Sequence, residues 1–251
     1  MQKIGVIILA AGKGTRMNSE KPKVCFELAG ESLIQRVVNT AQQLNSDKIG
    51  IVVGYKKEMV IEAVQKHPNI IFIDQETQNG TGDAVRSAKP FFYDFSGTIF
   101  ILCGDVPLLK AGTLQSMHQK HIITKAKCTI LTMILEDPDK YGRIVRDENG
   151  NIREITEYKD ASEEVRVIKE INTGIYCFDS AELFKALDKI DNNNAQNEYY
   201  LTDVVKVLYS QSKTIESLEL QDITEAAGVN SQAQLANLEK EYYNNTKIVF
   251  F

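Results

Sequence analysis

"IGVIILAAGKGTRM", Ile4 to Met17, joins an apolar run to a turn of small residues and cations. The run Ile4–Leu9 is mostly β-branched and does not alternate with polar residues. That pattern predicts a strand buried on both faces, which belongs to a parallel sheet with helices on either side. Similar strands are expected at Ile49–Gly54 ("IGIVVG"), Ile70–Ile73 and Thr98–Asp105 ("TIFILCGD"). Helical spacing fills the intervals at Ser32–Leu44, Met59–Gln65 and Gly82–Phe92. In the first of these, Leu33, Ile34, Val37, Val38, Ala41 and Leu44 form one stripe. Strands alternating with helices predict a doubly wound, Rossmann-like α/β sheet. Crossovers should be right-handed, with ligands bound at the carboxyl ends of the strands.

After residue 126 the pattern becomes richer in β and turn signals. Strands are expected at Cys128–Leu135, Arg143–Val145, Ile152–Glu157 and Asn172–Phe178, with the turn "DENGN" between the second and third. They predict a mixed, mainly parallel sheet with a small β-rich lobe over its ligand edge. Helices at Ser180–Leu187 and Leu201–Ser210, a strand at Ile215–Leu220 and a helix from Ala233 to about Tyr243 complete the reading. The closing "KIVFF", Lys247–Phe251, is apolar: it either packs on the domain or marks where a longer design continues.

The 251 residues suit one large α/β domain, or one domain with a small added lobe. Net charge is −5, from 29 Lys+Arg against 34 Asp+Glu. There is no basic excess for a polynucleotide backbone, so nucleic acid is not an expected partner. A local cluster of cations can still bind a small anion. Cys25, Cys103, Cys128 and Cys177 are scattered, without metal spacing, and read as reduced and mostly buried. His67, His118 and His121 fall in stretches read as helices and make no metal set. The N-terminal apolar run is too short for a signal peptide, and no stretch approaches the roughly 20 apolar residues of a membrane helix. A cytoplasmic protein is expected.

The turn after the first strand fails two familiar patterns. Gly12 and Gly14 fit a dinucleotide fingerprint, but Met17 stands where its third glycine belongs. A Walker loop needs a glycine five residues before the Gly12–Lys13 pair, and none is there. Ala10, Ala11, Gly12 and Gly14 are nevertheless small enough for backbone amides to approach a ligand. Lys13, Arg16 and Lys23 place three cations within eleven residues, which suits a triphosphate better than one phosphate. A surface turn with solvated lysines is the plainer alternative. Asp105 ends a buried strand in "CGDVPL", between Gly104 and Pro107, and is placed either to hold Mg2+ or to cap a helix. "QNGTGDA", Gln78–Ala84, opens a helix with a glycine pair. It reads as an anion or base contact, or as an ordinary N-cap with Thr81 capping.

At these residues the sequence resembles the sugar-phosphate nucleotidyltransferases, and most nearly the uridyltransferase domain of bifunctional bacterial N-acetylglucosamine-1-phosphate uridyltransferases. "LAAGKGTRM" and "KPK" carry the superfamily likeness. "QNGTGDA", "GDVPL", "YGRIVR", "EYKDA", "EINTGI", "NNNAQNEYYLTD" and "GVNS" follow in the family's order between residues 9 and 231. The resemblance implies transfer of UMP from UTP to N-acetylglucosamine 1-phosphate. Leu9, Ala10, Ala11 and Gly12 would contact the nucleotide, and Gln75, Gly80 and Thr81 would read the uracil. Arg16 and Lys23 would be the catalytic cations on the phosphates. Cys103 and Gly104 would line the substrate site. Gly142, Glu157 and Asn172 would hold the sugar, and Asp105 and Asn230 would ligate Mg2+. One domain over 1–251 is implied: a nucleotide-binding half at 1–126, a sugar-binding half at 127–231, and a C-terminal helix and tail at 232–251.

Two positions depart from the family pattern. Cys103 stands where tyrosine is usual, and Asp83 where "GTGHA" carries histidine. No hexapeptide repeat of an acetyltransferase domain is present in these residues, so acetyl transfer, acetyl-CoA and that domain's trimer are not expected. The oligomeric state is left open. Two rivals share the site: the same chemistry on another sugar 1-phosphate, such as glucose 1-phosphate, or another nucleotide; and a nucleotide-sugar-binding protein without turnover.

Overall fold

A computed structural model describes residues 2–247; Met1 and the apolar tail Ile248–Phe251 lie outside the described residues. The chain runs β1 (Lys3–Leu9), a short hairpin of β2 (Glu27–Leu28) and β3 (Glu31–Ser32), α1 (Leu33–Gln43), β4 (Lys48–Val53), α2 (Lys57–Glu62), β5 (Ile70–Asp74), α3 (Thr81–Ser87) and β6 (Gly97–Cys103). It continues through α4 (Ala111–Ile123), β7 (Cys128–Ile134), β8 (Arg143–Arg146), β9 (Ile152–Thr156), α5 (Glu163–Arg166), β10 (Glu170–Asp179), α6 (Ser180–Leu187), α7 (Asp203–Ser210), β11 (Ile215–Glu219) and α8 (Gln232–Lys247).

The main sheet is ordered β11-β7-β10-β6-β1-β4-β5, with β8 paired to β10 and β9 to β8. β10 is antiparallel to both β6 and β7, while β5, β4, β1 and β6 are mutually parallel. The expected β-rich lobe is the β8–β9 hairpin. It joins β10 where Ile171 faces Arg143.

The reading of β1 as a strand covered on both faces holds. Val6 and Ile8 pack with Val37, Val38 and Ala41 of α1 and Leu114 and Met117 of α4. Ile7 packs on the other face with Val85 of α3, Leu183 of α6 and Val204 of α7. A strand sandwiched this way cannot alternate polar and apolar residues, which is why its sequence is a continuous apolar run.

The chain builds β1, β4 and β5 outward on one side, then returns across β1 to lay down β6. Such a reversal of strand order opens a crevice at the carboxyl ends of the two central strands. Here those ends are in register, Leu9 opposite Cys103, and Gly104 N donates to Leu9 O at 3.0 Å. The turn after Leu9 and the acid at Asp105 are thus neighbours through sheet register alone.

Several boundaries move. α2 ends at Glu62, ahead of Pro68, so His67 lies in a turn rather than a helix. The helix expected at Gly82–Phe92 stops at Ser87, and Pro90 lies in a separate 3-10 turn at Lys89–Phe91. Thr81 does not cap it: Gly80 is the capping position, and the Thr81 hydroxyl instead accepts from Leu201 N at 3.0 Å. His118 and His121 do lie on α4 and serve the core. His118 meets the Phe100 ring edge-on, and His121 Nδ1 lies 3.0 Å from Thr129 Oγ1. Burial pushes the His121 pKa down to about 4. The four cysteines are free thiols. No helix among the described residues is long and apolar enough to cross a membrane.

Candidate active site

The turn after β1 is shaped by what its small residues allow. Ala10 and Ala11 are buried, and Ala11 O accepts from Tyr55 N at 3.1 Å and from Gln78 Nε2 at 2.9 Å. Gly14 has φ +65°, and a Cβ there would fall 2.5 Å from Lys23 Cβ. That glycine lets the Lys23 stem cross the loop. Met17, which breaks the dinucleotide fingerprint, is an anchor. It is 1% exposed and packs with Leu28, Leu33, Val229 and Leu238. The same small cluster seats Val229, next to Asn230, beside the loop.

At this end four predicted residues meet. Lys23 Nζ is ion-paired with Asp105 Oδ2 and donates to Asn230 Oδ1 at 2.8 Å. Arg16 Nη2 donates to the same Asn230 oxygen at 2.9 Å. Asn230 is held from behind, its N–H donating to Gln234 Oε1 at 2.8 Å, while Val229 N donates to Asp105 O at 2.9 Å. Asp105 and Asn230, far apart in sequence, therefore aim their oxygens at one cation.

A cleft of about 340 Å3 runs from this cluster. Leu9, Ala10, Ala11, Gly12, Lys23, Gln75, Gly80, Thr81, Cys103 and Asp105 line it, joined by Gln78 and Glu198. Its far wall depends on the glycine pair of "QNGTGDA". Gly82 N donates to Tyr199 O and Tyr199 N to Asn79 O, both at 2.7 Å. A Cβ on Gly80 would lie 2.6 Å from Tyr199 O, and one on Gly82 would lie 2.9 Å from it. Both glycines are thus explained by the close approach of the "NEYYLT" segment.

Gly104, Gly142, Glu157, Asn172 and Asn230 do not line that cleft. Gly104 sits beneath it: an added Cβ would meet Leu9 O at 3.1 Å. Gly142, Glu157 and Asn172 form a second group. Asn172 N donates to Gly142 O at 2.9 Å, and a Cβ on Gly142 would lie 3.6 Å from Glu157 Oε2. Thr202 Oγ1 donates to Glu157 Oε1 at 3.2 Å. Burial raises the Glu157 pKa. Thr202 opposes the rise, and Asp203, Asp160 and Glu198 add to it. Asn172 Nδ2 donates to Tyr176 Oη at 2.7 Å, and Gly174 N to Asn172 Oδ1 at 3.1 Å. Gly174, at φ +80°, sits where the β10–β7 register shifts. Cys103 joins the two groups, its thiol donating to Gly174 O at 3.5 Å. A tyrosine at 103 would have to cross that contact.

Sequence reasoning did not find Gln78, Glu198, Thr202 or Tyr176. Gln78 opens "QNGTGDA" and Glu198 and Thr202 lie within "NNNAQNEYYLTD", but nothing in their spacing says that Gln78 and Glu198 face one cleft. The contact of "QNGTGDA" with "NEYYLTD" joins segments 120 residues apart, such as Thr81 and Leu201.

A model of the family described as "Nucleotidyl transferase" matches residues 5–235. The chain belongs to the nucleotidyl transferase family. It is 45% identical over 240 residues to the bifunctional protein GlmU of Geobacillus sp. (strain WCH70), covering 96% of this chain and 52% of that protein. The corresponding figures for GlmU of Bacillus subtilis (strain 168) are 42%, 96% and 52%. For that of Brevibacillus brevis they are 44% over 249 residues, 99% and 53%. The chain thus spans about half the length of the curated relatives it matches. A solved structure described as UDP-glucose pyrophosphorylase complexed with UDP-glucose superposes with a TM-score of 0.76. It covers 98% of this chain and 100% of that one at 17% identity, a likeness of fold.

For a nucleotidyltransferase the convergence on Lys23 has a chemical meaning. A carboxylate oxygen and an amide oxygen already share one cation, the Lys23 ammonium. Hard oxygen donors of this kind suit a hard divalent cation. Among the described residues no group of three or more His, Cys, Asp or Glu could form a closed metal cage. Asp105 and Asn230 therefore fit an ion that completes its shell with water and phosphate oxygens, as Mg2+ does.

Proposed function

We propose that this chain transfers UMP from UTP to N-acetylglucosamine 1-phosphate and releases pyrophosphate, within a single domain of two substrate-binding halves. The observation that carries the reading is the meeting of Arg16, Lys23, Asp105 and Asn230 at one end of a cleft whose other end is walled by Gln75, Gly80 and Thr81. That is a charge cluster suited to a triphosphate, at one end of a cleft of about 340 Å3.

The sugar phosphate oxygen attacks the α-phosphorus, and the bond to the pyrophosphate oxygen breaks in line. The attacking oxygen is already ionised, so no general base is required. Consistently, His118 and His121 belong to the core. Arg16 and Lys23 stabilise charge that grows on the departing pyrophosphate. Leu9 to Gly12 place the nucleotide by backbone approach, and Gln75, Gly80 and Thr81 select the base. Gly142, Glu157 and Asn172 orient the sugar, with Glu157 accepting from a sugar hydroxyl. Cys103 and Gly104 set the spacing between the two substrates. Mg2+ on Asp105 and Asn230, when bound, supplies charge screening between two mutually repelling phosphates.

The test is pyrophosphate release over a grid of four nucleoside triphosphates with N-acetylglucosamine 1-phosphate, glucose 1-phosphate and other sugar 1-phosphates. UTP with the N-acetylated sugar should have the highest kcat/KM. A maximum on glucose 1-phosphate would move the acceptor assignment to that sugar. Binding of UDP-sugar without any pyrophosphate release would replace catalysis by sensing.

A further inference from the structure

Gln75 follows β5 directly, is 7% exposed and lines the base end of the cleft. Its Nε2 donates to Asp83 Oδ2 at 2.9 Å and to Gly80 O at 3.2 Å. Both hydrogens of the amide nitrogen are therefore committed to the protein. A carboxylate and a peptide carbonyl only accept hydrogen bonds. Turning the carboxamide over would set its oxygen against two other oxygens. The amide has one acceptable orientation, and Oε1 is the atom left for a ligand. At position 83 the related signature carries histidine where this chain has Asp83. A neutral imidazole can present either a donor or an acceptor and so imposes no such choice. The carboxylate of Asp83 does impose it.

We infer that Asp83 is a positioning residue for base selection: by locking the Gln75 carboxamide it presents a lone acceptor to the nucleotide base. This deepens the uridine assignment proposed above and rests on it. Uracil carries a hydrogen on N3, which an acceptor can take. Cytosine carries a lone pair on N3, which the same acceptor opposes. A freed Gln75 can turn its amide nitrogen outward, donate to cytosine N3 and lose the discrimination. Asp83 touches no substrate in this scheme and acts only through Gln75.

The experiment compares wild type with Asp83→Ala, Asp83→Asn and Gln75→Ala. It measures kcat/KM for UTP and for CTP with one sugar phosphate, and the binding of each nucleotide alone by calorimetry. In Asp83→Ala the UTP-to-CTP ratio should fall about tenfold or more, the scale of losing a hydrogen bond to a charged group, and approach that of Gln75→Ala. Asp83→Asn keeps an oxygen within reach of Gln75 Nε2 and should retain most of the ratio. A general loosening of the fold would lower both rates together and leave the ratio unmoved. A ratio within twofold of wild type in Asp83→Ala overturns the inference and leaves the uridine assignment standing. A wild-type enzyme that does not prefer UTP to CTP removes that assignment and the inference with it.

Discussion

Gly80→Ala tests the account of the cleft's far wall. Gly80 has φ +107°, a conformation that residues with a side chain rarely adopt. Holding alanine there costs about 1–3 kcal/mol. The new Cβ would also lie 2.6 Å from Tyr199 O, 2.9 Å from Glu198 Cβ and 3.0 Å from Tyr199 N. The first and last of these are backbone atoms and cannot rotate away. They already take part in the two 2.7 Å hydrogen bonds to Gly82 and Asn79. Relief requires lengthening those bonds, at about 0.5–1.5 kcal/mol each. Together the loss should be about 2–6 kcal/mol, a large share of the roughly 5–15 kcal/mol that holds most domains folded. Gly112→Ala is the control. That glycine lies within α4 with nothing within 4 Å of an added Cβ, so the change should be neutral or stabilising by about 0.5–1 kcal/mol. Urea unfolding of both variants gives the stabilities, and steady-state rates give KM for UTP, which should rise in Gly80→Ala. A Gly80→Ala protein within 1 kcal/mol of wild type, with unchanged KM, would refute the argument.

Arg16→Ala should lower kcat by about a hundredfold, the scale of losing one donor to transition-state charge; a near-wild-type rate in a pyrophosphate-release assay would sink that role. Lys23→Met removes the ammonium that Asp105 and Asn230 share. It should therefore tighten Mn2+ binding in the absence of nucleotide by about tenfold or more while impairing catalysis; calorimetry with Mn2+ showing equal or weaker binding would contradict it. His121 is 3% exposed, with its pKa lowered from 6.5 to about 4 by burial. Below pH 6.5 the unfolded chain takes up a proton that the folded chain refuses until about pH 4. Stability from this group is thus full above pH 6.5 and declines by about 3 kcal/mol as pH falls to 4. Urea unfolding between those pH values should show a shallower decline in His121→Gln, and an identical slope would rule the histidine out.

Much of the fold was readable because burial on both sides of a sheet leaves a one-dimensional trace. Ile4–Leu9, Ile49–Gly54 and Thr98–Asp105 are apolar runs of strand length, and the structure has β1, β4 and β6 there. The three strands then bring Leu9, Gly54 and Cys103 to one edge. Capping was less readable. Thr81 has the chemistry of a cap residue, yet its hydroxyl serves Leu201, because the docking of residue 199 onto Gly82 leaves it nearer that partner.

By itself the sequence determined the α/β class, the loop of small residues after β1 and its attendant cations, and the strand-end acid Asp105, since each rests on neighbours in the chain. Only the tertiary structure decided how Asn230, which the family resemblance set beside Asp105, reaches a cation shared with it, what anchors Met17 where a dinucleotide loop has glycine, and how Asp83 holds Gln75. Asn230 reads as an ordinary turn residue until Met17, Val229 and Leu238 pack together and bring it over Lys23. The reason is physical. Burial and backbone preference act residue by residue and leave local patterns. The direction of a side-chain oxygen depends on packing between segments whose separation along the chain carries no such mark.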